Sequence, residues 1–357
     1  MANNTKQLDE QAINIKDQSL NASVRSSEPS EPEGSAAPAP VGPAQTANIV
    51  RELYQSSRIK RLWYLYNLYI TVIPFAGFLL AVVMVCRDGI GHVELVTLVL
   101  MYTLCQMGIE VGYHRLFTHR SFQAHPAVAG FLAICGSMSG QGRVIYWTAL
   151  HRHHHAFSDK EGDIHSPQLA GTGLNARISG LWHGHVGWLF NHTVPNANFY
   201  CRDLVSDPVL RTINRFEFVW LALGLLIPTL IGASMTGTTL GAFQGFLWGG
   251  PVRMFLCNNF TYSVNSLCHV FGQRPFYTRD FSTNNFWLAV PTFGQAWHNN
   301  HHAFPHSAIM GLEWWQIDPG TWVVRLLQML GLASDVHEPT PEMIQAKQRA
   351  RQELQIQ

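Results

Sequence analysis

The run between Arg61 and Arg87 contains twenty-five consecutive residues without a charged side chain. A helix needs roughly 20 apolar residues to cross the hydrocarbon core of a bilayer, so this run is long enough to span a membrane. Aromatic residues crowd its beginning, LWYLYNLY, as is typical of a membrane interface. Charged residues make up only 13% of the chain, about half of the roughly 25% usual in soluble domains. We therefore predict an integral membrane protein whose first span covers about 62–86.

Three further apolar segments are predicted to cross the membrane, at about 95–113, 214–233 and 240–262. The last two come from one uncharged run, 218–252, which the turn-like sequence GASMTGTT divides. Arg253 lies inside the fourth segment, where we expect it to face the protein or the helix to extend beyond the lipid. The predicted fold is all-α, with four transmembrane helices arranged in two hairpins.

Basic residues predict the orientation of these hairpins, because Lys and Arg remain on the cytoplasmic side of short loops. They flank the open end of each hairpin, whereas the closed end of the first has only Arg87 beside Asp88 and the tip of the second has no charge. Segments 114–213 and 263–336 are therefore predicted to form a cytosolic helical cap.

The two ends of the chain differ in composition from this membrane domain, which we assign to residues 51–336. Residues 1–50 are rich in Ser, Ala, Pro and Glu, and are predicted to be a disordered tail without a signal-peptide pattern. Residues 337–357 are predicted to be a polar C-terminal tail. The net charge of +1 gives no field for attracting nucleic acid, so we expect no nucleic-acid partner.

Histidine is abundant, with eighteen copies, and its clustering predicts a metal site. The candidate ligands are His114 and His119 in HRLFTH; His151, His154 and His155 in HRHHH; His298, His301 and His302 in HNNHH; and His269, which follows Asn265. Residues at i, i+3 and i+4 share a helix face, so the members of HRHHH and of HNNHH are each predicted to converge, as are Asn265 and His269.

The number of these histidines favours two metals, because nine ligands exceed the four that a tetrahedral zinc requires. Imidazole binds zinc, copper, iron and nickel, so the residues alone leave the metal open. His114 and His119 are five residues apart, or about 140° around an α-helix. We expect them either to serve two different metals or to straddle a helix end.

The clusters HxxxxH, HxxHH and HxxHH, with NSLCH before the last, resemble the three histidine boxes of the membrane-bound fatty acyl desaturases. The segments GYHRLFTHRSF, HHHAFSDKEGDIHSP, HVGWLF and WHNNHHAFP are similar to bacterial members, over about 61–336. Resemblance to the delta-nine branch implies that the nine clustered histidines bind two irons, with Asn265 holding a metal-bound water. It also implies O₂ as oxidant and an external electron donor of the ferredoxin, rubredoxin or cytochrome b5 type.

Three further residues are predicted to support the ligands. Glu110 lies one turn before His114, where we expect a carboxylate either to orient the imidazole or simply to reach a polar interior of the helix bundle. Asp163 and His165 lie in GDIH, which departs from the DPH of the family, so they are expected either to support the metal site or to pair locally.

The acyl carrier is left open by the sequence. Asn191 and His192 follow HVGWLF, where animal acyl-CoA enzymes of this family have a basic pair. The expected partner is a fatty acyl thioester, on CoA or a carrier protein, or an acyl lipid.

The predicted activity is O₂-dependent insertion of a cis double bond, at delta-9, into a saturated acyl chain, in a bacterial inner membrane with the active site facing the cytoplasm. A related membrane hydroxylase, acetylenase or alkane monooxygenase is the alternative within enzymes. A histidine-rich metal transporter is disfavoured, because its ligands would lie near the bilayer midplane.

Other histidines and the cysteines are predicted to be structural. Isolated histidines are usually buried structural groups, which we expect for His92, His125, His306 and His337. His153 lies about 200° from His151 on a helix and is predicted to be a polar surface group. The six cysteines, without a CxxC pair, are predicted to be buried apolar side chains rather than disulfides.

Overall fold

The computed structural model describes residues 52–53, 57–190 and 194–356. The predicted N-terminal tail and the Asn191–His192 pair lie outside the described residues. The described part is mostly helical, as predicted. Two short antiparallel pairs of strands accompany the helices: β1 (Glu52–Leu53) with β3 (Val194–Pro195), and β2 (Gln123–Ala124) with β4 (Ala333–Ser334).

The helices divide between the two halves of the chain. Those of the first half are α1 (Ser57–Asp88), α2 (His92–Met107), the π-helix π1 (Gly108–Thr118), α3 (Pro126–Met138), α4 (Val144–Phe157), α5 (Leu174–His185), α6 (Ala197–Tyr200), α7 (Arg202–Ser206) and α8 (Pro208–Arg215). Those of the second half are α9 (Glu217–Thr236), α10 (Thr239–Leu247), the π-helix π2 (Trp248–Val252), α11 (Arg253–Ser266), α12 (Phe286–Ala289), α13 (His298–Ala303), α14 (Pro319–Met329) and α15 (Pro341–Ile356). Short 3₁₀ turns lie at Pro167–Ala170, Gly187–Phe190 and Leu267–His269.

Within the described residues, three helices are long and apolar enough to cross a membrane: Lys60–Asp88, His92–Thr118 and Glu217–Thr236. They correspond to the first three predicted spans. The fourth predicted span falls on α10, π2 and α11, which follow one another without a break, but this run is not among the three.

Arg253, at the start of α11, faces the protein interior and not lipid. Its side chain is fully buried and donates hydrogen bonds to three backbone carbonyls, those of Gly249, Met138 and Gly224, at 3.0, 2.6 and 2.9 Å. A buried cation is tolerated only when its donors are satisfied, and here they join three helices. Arg253 therefore faces the protein, which is one of the two arrangements expected for an arginine in this segment.

Close helix contacts in this region depend on glycine. A Cβ at Gly245 of α10 would overlap the Pro228 carbonyl of α9, and one at Gly232 of α9 would overlap the Gly241 carbonyl of α10. Small residues let membrane helices approach until their backbones touch. Likewise, a Cβ at Gly108 would overlap the backbone amide of Gly136, so π1 lies directly against α3.

Candidate metal centre

The π-helix π1 determines where the first two candidate ligands lie. Its hydrogen bonds join residues five apart, and the backbone N–H of His119 donates to the carbonyl of His114 at 3.1 Å. His114 and His119 therefore lie on the same side of π1, on neighbouring turns, and the centroids of their rings are 4.8 Å apart. The expectation that this pair serves two different metals is wrong, because it assumed the geometry of an α-helix. The alternative expectation, that the pair lies across a helix end, is confirmed.

The structure brings the nine candidate histidines into two groups. Within each group, the nearest ligand atoms all lie within 4.8 Å of one another. The first group, group A, contains His114, His119, His151, His155 and His301. The second group, group B, contains His154, His269, His298 and His302. Two metals with open coordination positions fit this division of ligands.

The helices α4 and α13 each contribute to both groups, in opposite ways. From α4, His151 and His155 enter group A and His154 enters group B. From α13, His298 and His302 enter group B, whereas His301 enters group A. The three histidines of each helix lie on one face, as predicted. However, the two histidines four residues apart belong to one group, and the third, at position i+3, belongs to the other.

Distances between imidazole nitrogens test whether a metal fits. The Nε2 atom of His155 lies 3.1 Å from that of His151 and 3.0 Å from that of His301, and those of His269 and His298 are 3.0 Å apart. With metal–nitrogen bonds of about 2.1 Å, ligands at right angles bring their nitrogens to about 3.0 Å, and tetrahedral ligands to about 3.4 Å. Nitrogens this close are at the spacing of ligands that share one metal.

Four carboxylates hold four of the imidazoles. Glu110 accepts from Nδ1 of His114 at 3.0 Å, as the sequence led us to expect, and Asp163 from Nδ1 of His154 at 3.0 Å. A carboxylate on Nδ1 leaves Nε2 free for a metal. The Nε2 atoms of His154 and His302 are buried and have no hydrogen-bond partner within the described residues.

Sequence reasoning missed the other two carboxylates, which are Asp159 and Asp280. Asp159 accepts from Nδ1 of His269 at 2.7 Å, and Asp280 from Nδ1 of His302 at 2.7 Å. Asp159 is present in the quoted segment HHHAFSDKEGDIH, but neither residue lies within one helical turn of its histidine in the sequence. They are 110 and 22 residues away from their partners.

Two arginines hold the segment that carries the first two ligands. Arg115 is fully buried and bonds to Glu110 at 3.0 Å and to Asp318 at 2.7 Å, so it ties π1 to the start of α14. Arg152 donates to the Phe117 carbonyl at 2.7 Å, just before His119. No sequence pattern pointed to a role for Arg115, Asp318 or Arg152.

His165 and Asn265 line a pocket rather than joining either group. His165 lies against His154, with ring centroids 4.3 Å apart, and its Nδ1 is 4.0 Å from Asp163. Both residues line a narrow aromatic pocket of about 40 Å³ that reaches His151. Its other lining residues include Trp63, Tyr66, Ile70, Tyr146, Trp147, Leu150, Trp188 and Tyr262.

The remaining histidines differ from the sequence prediction in their burial. His153 lies outside both groups but is buried, 4% exposed, against Phe157 and Tyr200, so the prediction of a surface group is wrong. The four isolated histidines, which we expected to be buried, are exposed: His92, His125, His306 and His337. Five cysteines are buried as predicted, whereas Cys86 is exposed.

Burial sets the protonation of the groups. It lowers the pKa of five imidazoles well below the usual value: His119, His151, His155, His298 and His301. Burial also opposes a charge on His154, but the Asp163 carboxylate outweighs it and raises the pKa of His154. Neutral imidazole is the form that binds a metal, so most of the site is ready for one near neutral pH.

Comparison with known proteins shows which family this chain resembles in sequence. A family profile described as fatty acid desaturase matches residues 92–330. A hex-5-enoyl-[acyl-carrier protein] acetylenase of Moorena producens is 47% identical over 80% of this chain and 88% of its own length. An sn-1 stearoyl-lipid 9-desaturase of Anabaena variabilis is 40% identical over 68% and 82%. A delta-9 acyl-lipid desaturase of Arabidopsis thaliana is 38% identical over 68% and 74%.

Proposed function

Since this chain belongs to the fatty acid desaturase family and is an oxidoreductase that acts as an acyl desaturase, we propose that it inserts a cis delta-9 double bond at a diiron centre. The observation that carries the proposal is the division of nine imidazoles into two groups, each with nitrogens at metal-ligand spacing. Iron is the metal implied by the family and is compatible with an all-imidazole ligand set.

The proposed reaction removes one hydrogen from each of two neighbouring CH₂ groups. O₂ takes up four electrons and becomes two molecules of water; two electrons come from the C–H bonds and two from an external donor, with two protons from solvent. Iron, when bound, supplies the activated oxygen chemistry that unactivated C–H bonds require. We propose group A and group B as its ligands, with Asn265 holding a metal-bound water.

The protein's own residues orient and shield this site. Glu110, Asp159, Asp163 and Asp280 fix the ring orientation of one imidazole each, which keeps Nε2 directed away from its carboxylate. The narrow aromatic pocket that His165 and Asn265 line reaches His151. We propose that the alkyl chain enters there and call it the acyl pocket; its volume of about 40 Å³ requires the pocket to widen around the chain.

We propose the membrane arrangement predicted from the sequence, with four spans in two hairpins and the histidine-bearing segments on the cytoplasmic side. Buried Arg253 and the tight contact of α9 with α10 support a fourth span formed by α10, π2 and α11. An inner-membrane location in a bacterium and an electron donor of the ferredoxin, rubredoxin or cytochrome b5 type complete the proposal.

An acetylenase is the second candidate function. The relative named as a hex-5-enoyl-[acyl-carrier protein] acetylenase is 47% identical to this chain, so removal of two hydrogens from an existing double bond is compatible with the same site. It also makes an acyl carrier protein a proposed substrate carrier, beside CoA and lipid.

Expression in a desaturase-deficient host, with mass spectrometry of all acyl pools, tests both functions. We expect a new delta-9 double bond in one pool; a triple bond formed only from an unsaturated precursor would favour the acetylenase. Metal analysis after iron-replete expression should give about two irons per chain. No new unsaturation, or a single tightly bound metal, would contradict the proposal.

A further inference from the structure

A basic cleft lies beside the two histidine groups and shares no lining residue with the acyl pocket. Its volume is about 840 Å³. Four cationic side chains line it, those of Arg120, Arg152, Arg279 and Lys347. Among the described lining residues, Asp280 is the one carboxylate, and it accepts a hydrogen bond from His302. Asp203, outside the lining, pairs with Arg120 and Arg152. Four cations against two carboxylates leave the cleft net positive, and bound metals would increase that charge.

The cleft gives access to both histidine groups at one point. Three of the nine candidate ligands line it: His119 and His155 of group A, and His302 of group B. The rings of His155 and His302 stack, with centroids 4.6 Å apart and planes 24° apart. This stacked pair thus joins the two groups at the cleft.

We propose that this cleft is the docking site of a small acidic electron-transfer protein, which delivers electrons through the stacked His155–His302 pair. The inference rests on the proposed function, because only a reaction that consumes external electrons needs such a partner. The reaction needs two external electrons, so two reduced donor molecules dock in turn, and each gives up one electron and leaves in its oxidised form. The donor does not have to enter the site, only to bring its redox centre close to the two imidazoles.

Charge distinguishes this partner from the acyl chain. The cleft is lined mainly by charged and polar side chains, whereas the acyl pocket has aromatic walls and reaches His151 separately. Complementary charge speeds the encounter of proteins and makes it sensitive to salt, and weak electron-transfer complexes use small interfaces. An acidic acyl carrier protein is the rival occupant, and the experiment separates the two.

The test uses the full-length enzyme and an acidic [2Fe–2S] ferredoxin with its reductase as the probe. Arg279→Glu reverses an exposed charge in the cleft, and Arg120→Gln removes one without placing a carboxylate beside its partner Asp203. Arg177→Glu is the matched control, since Arg177 is an exposed cation in a different cleft, which reaches His269. Each ferredoxin-supported rate is normalised to the dithionite-driven single-turnover yield of the same preparation.

We expect Arg279→Glu to lower the normalised kcat/KM for ferredoxin about tenfold at low salt, and the difference to shrink to about twofold at high salt. Arg120→Gln should have a smaller effect of the same kind, and Arg177→Glu should remain within about twofold of wild type. Equal losses in Arg279→Glu and Arg177→Glu, or none in either cleft variant, would overturn the docking site.

Two further outcomes distinguish failure of the docking site from failure of the proposed function. If Arg279→Glu instead raises the KM for an acyl carrier protein substrate in the dithionite-driven reaction, the cleft binds the acyl carrier and the proposal is wrong. If wild-type enzyme makes no unsaturated product with dithionite and O₂, the proposed function itself fails, independently of any variant.

Discussion

His154 and His153 are adjacent in the sequence but lie in different environments. His154 belongs to group B and is held by Asp163, whereas His153 packs against Phe157 and Tyr200. We therefore expect His154→Ala to abolish desaturation and to lower bound iron. Because His153 is buried, His153→Gln is a better control than alanine and should keep both near wild type. Both variants are compared at equal membrane abundance by product analysis and iron content; equal losses would refute the ligand assignment.

Asp280 offers a test of the carboxylates that support the ligands. Asp280→Asn keeps the shape of the side chain but removes the charge that orients His302. Loss of such a partner typically lowers metal affinity or activity roughly 10–100-fold, and we expect a change in that range. Asp207→Asn is the matched control, because Asp207 caps α8 and asparagine caps helices equally well. An iron titration that gives the same affinity for Asp280→Asn and wild type would contradict this role.

The lowered pKa values of the buried imidazoles predict how the metal-free protein responds to acid. Five histidines have a folded-state pKa below about 6.5, so the unfolded chain binds more protons below that pH. Folding should therefore become less favourable as the pH falls from about 7.5 to about 5.5; the raised pKa of His154 opposes this only in part. The measurement is thermal unfolding of chelator-treated protein at both pH values. An unchanged midpoint of thermal unfolding would contradict the expected loss of stability.

At the scale of elements, sequence patterns predicted the regular α-helices well but did not predict the π-helix. The spans follow from uncharged runs, and HRHHH and HNNHH lie on helices as their spacing suggests. Hydrophobic spacing does not distinguish the π-helix around His114 from an α-helix; in the structure this π-helix begins where Gly108 packs against α3. Asp159 and Asp280 are missed for a similar reason: tertiary folding, and not local spacing, brings them to their histidines.

The contact of π1 with α3 gives a prediction at this scale. Gly108→Ala would place a methyl group onto the backbone of α3 at Gly136 and should push π1 outward, together with His114. Overpacking of this kind typically costs about 1–3 kcal/mol. Gly130→Ala is the control, because a Cβ at Gly130 meets no atom within 4 Å. Thermal stability and iron content in detergent should fall only in Gly108→Ala; parallel behaviour of the two would show that the contact is unimportant.

For the whole molecule, Cys86 is a natural reporter of the proposed membrane orientation. It is exposed near the end of α1, whereas the other cysteines are buried: Cys105, Cys135, Cys201, Cys257 and Cys268. The proposed topology puts the short α1–α2 connection outside the cytoplasm. A membrane-impermeant maleimide should therefore label intact cells with a permeable outer membrane, and Cys86→Ser should remove the signal. Labelling seen only in inside-out vesicles would reverse the orientation.

The exchange of ligands between α4 and α13 also has a consequence for assembly. Since each helix supplies both groups, an ion that binds in one group orders the helices on which the other depends. Filling of the two positions should then be cooperative, and the half-filled protein should be scarce. Such an intermediate could react with O₂ and draw electrons from a donor without forming a double bond. We therefore expect the crossed arrangement to limit such wasteful reduction of oxygen while the enzyme matures.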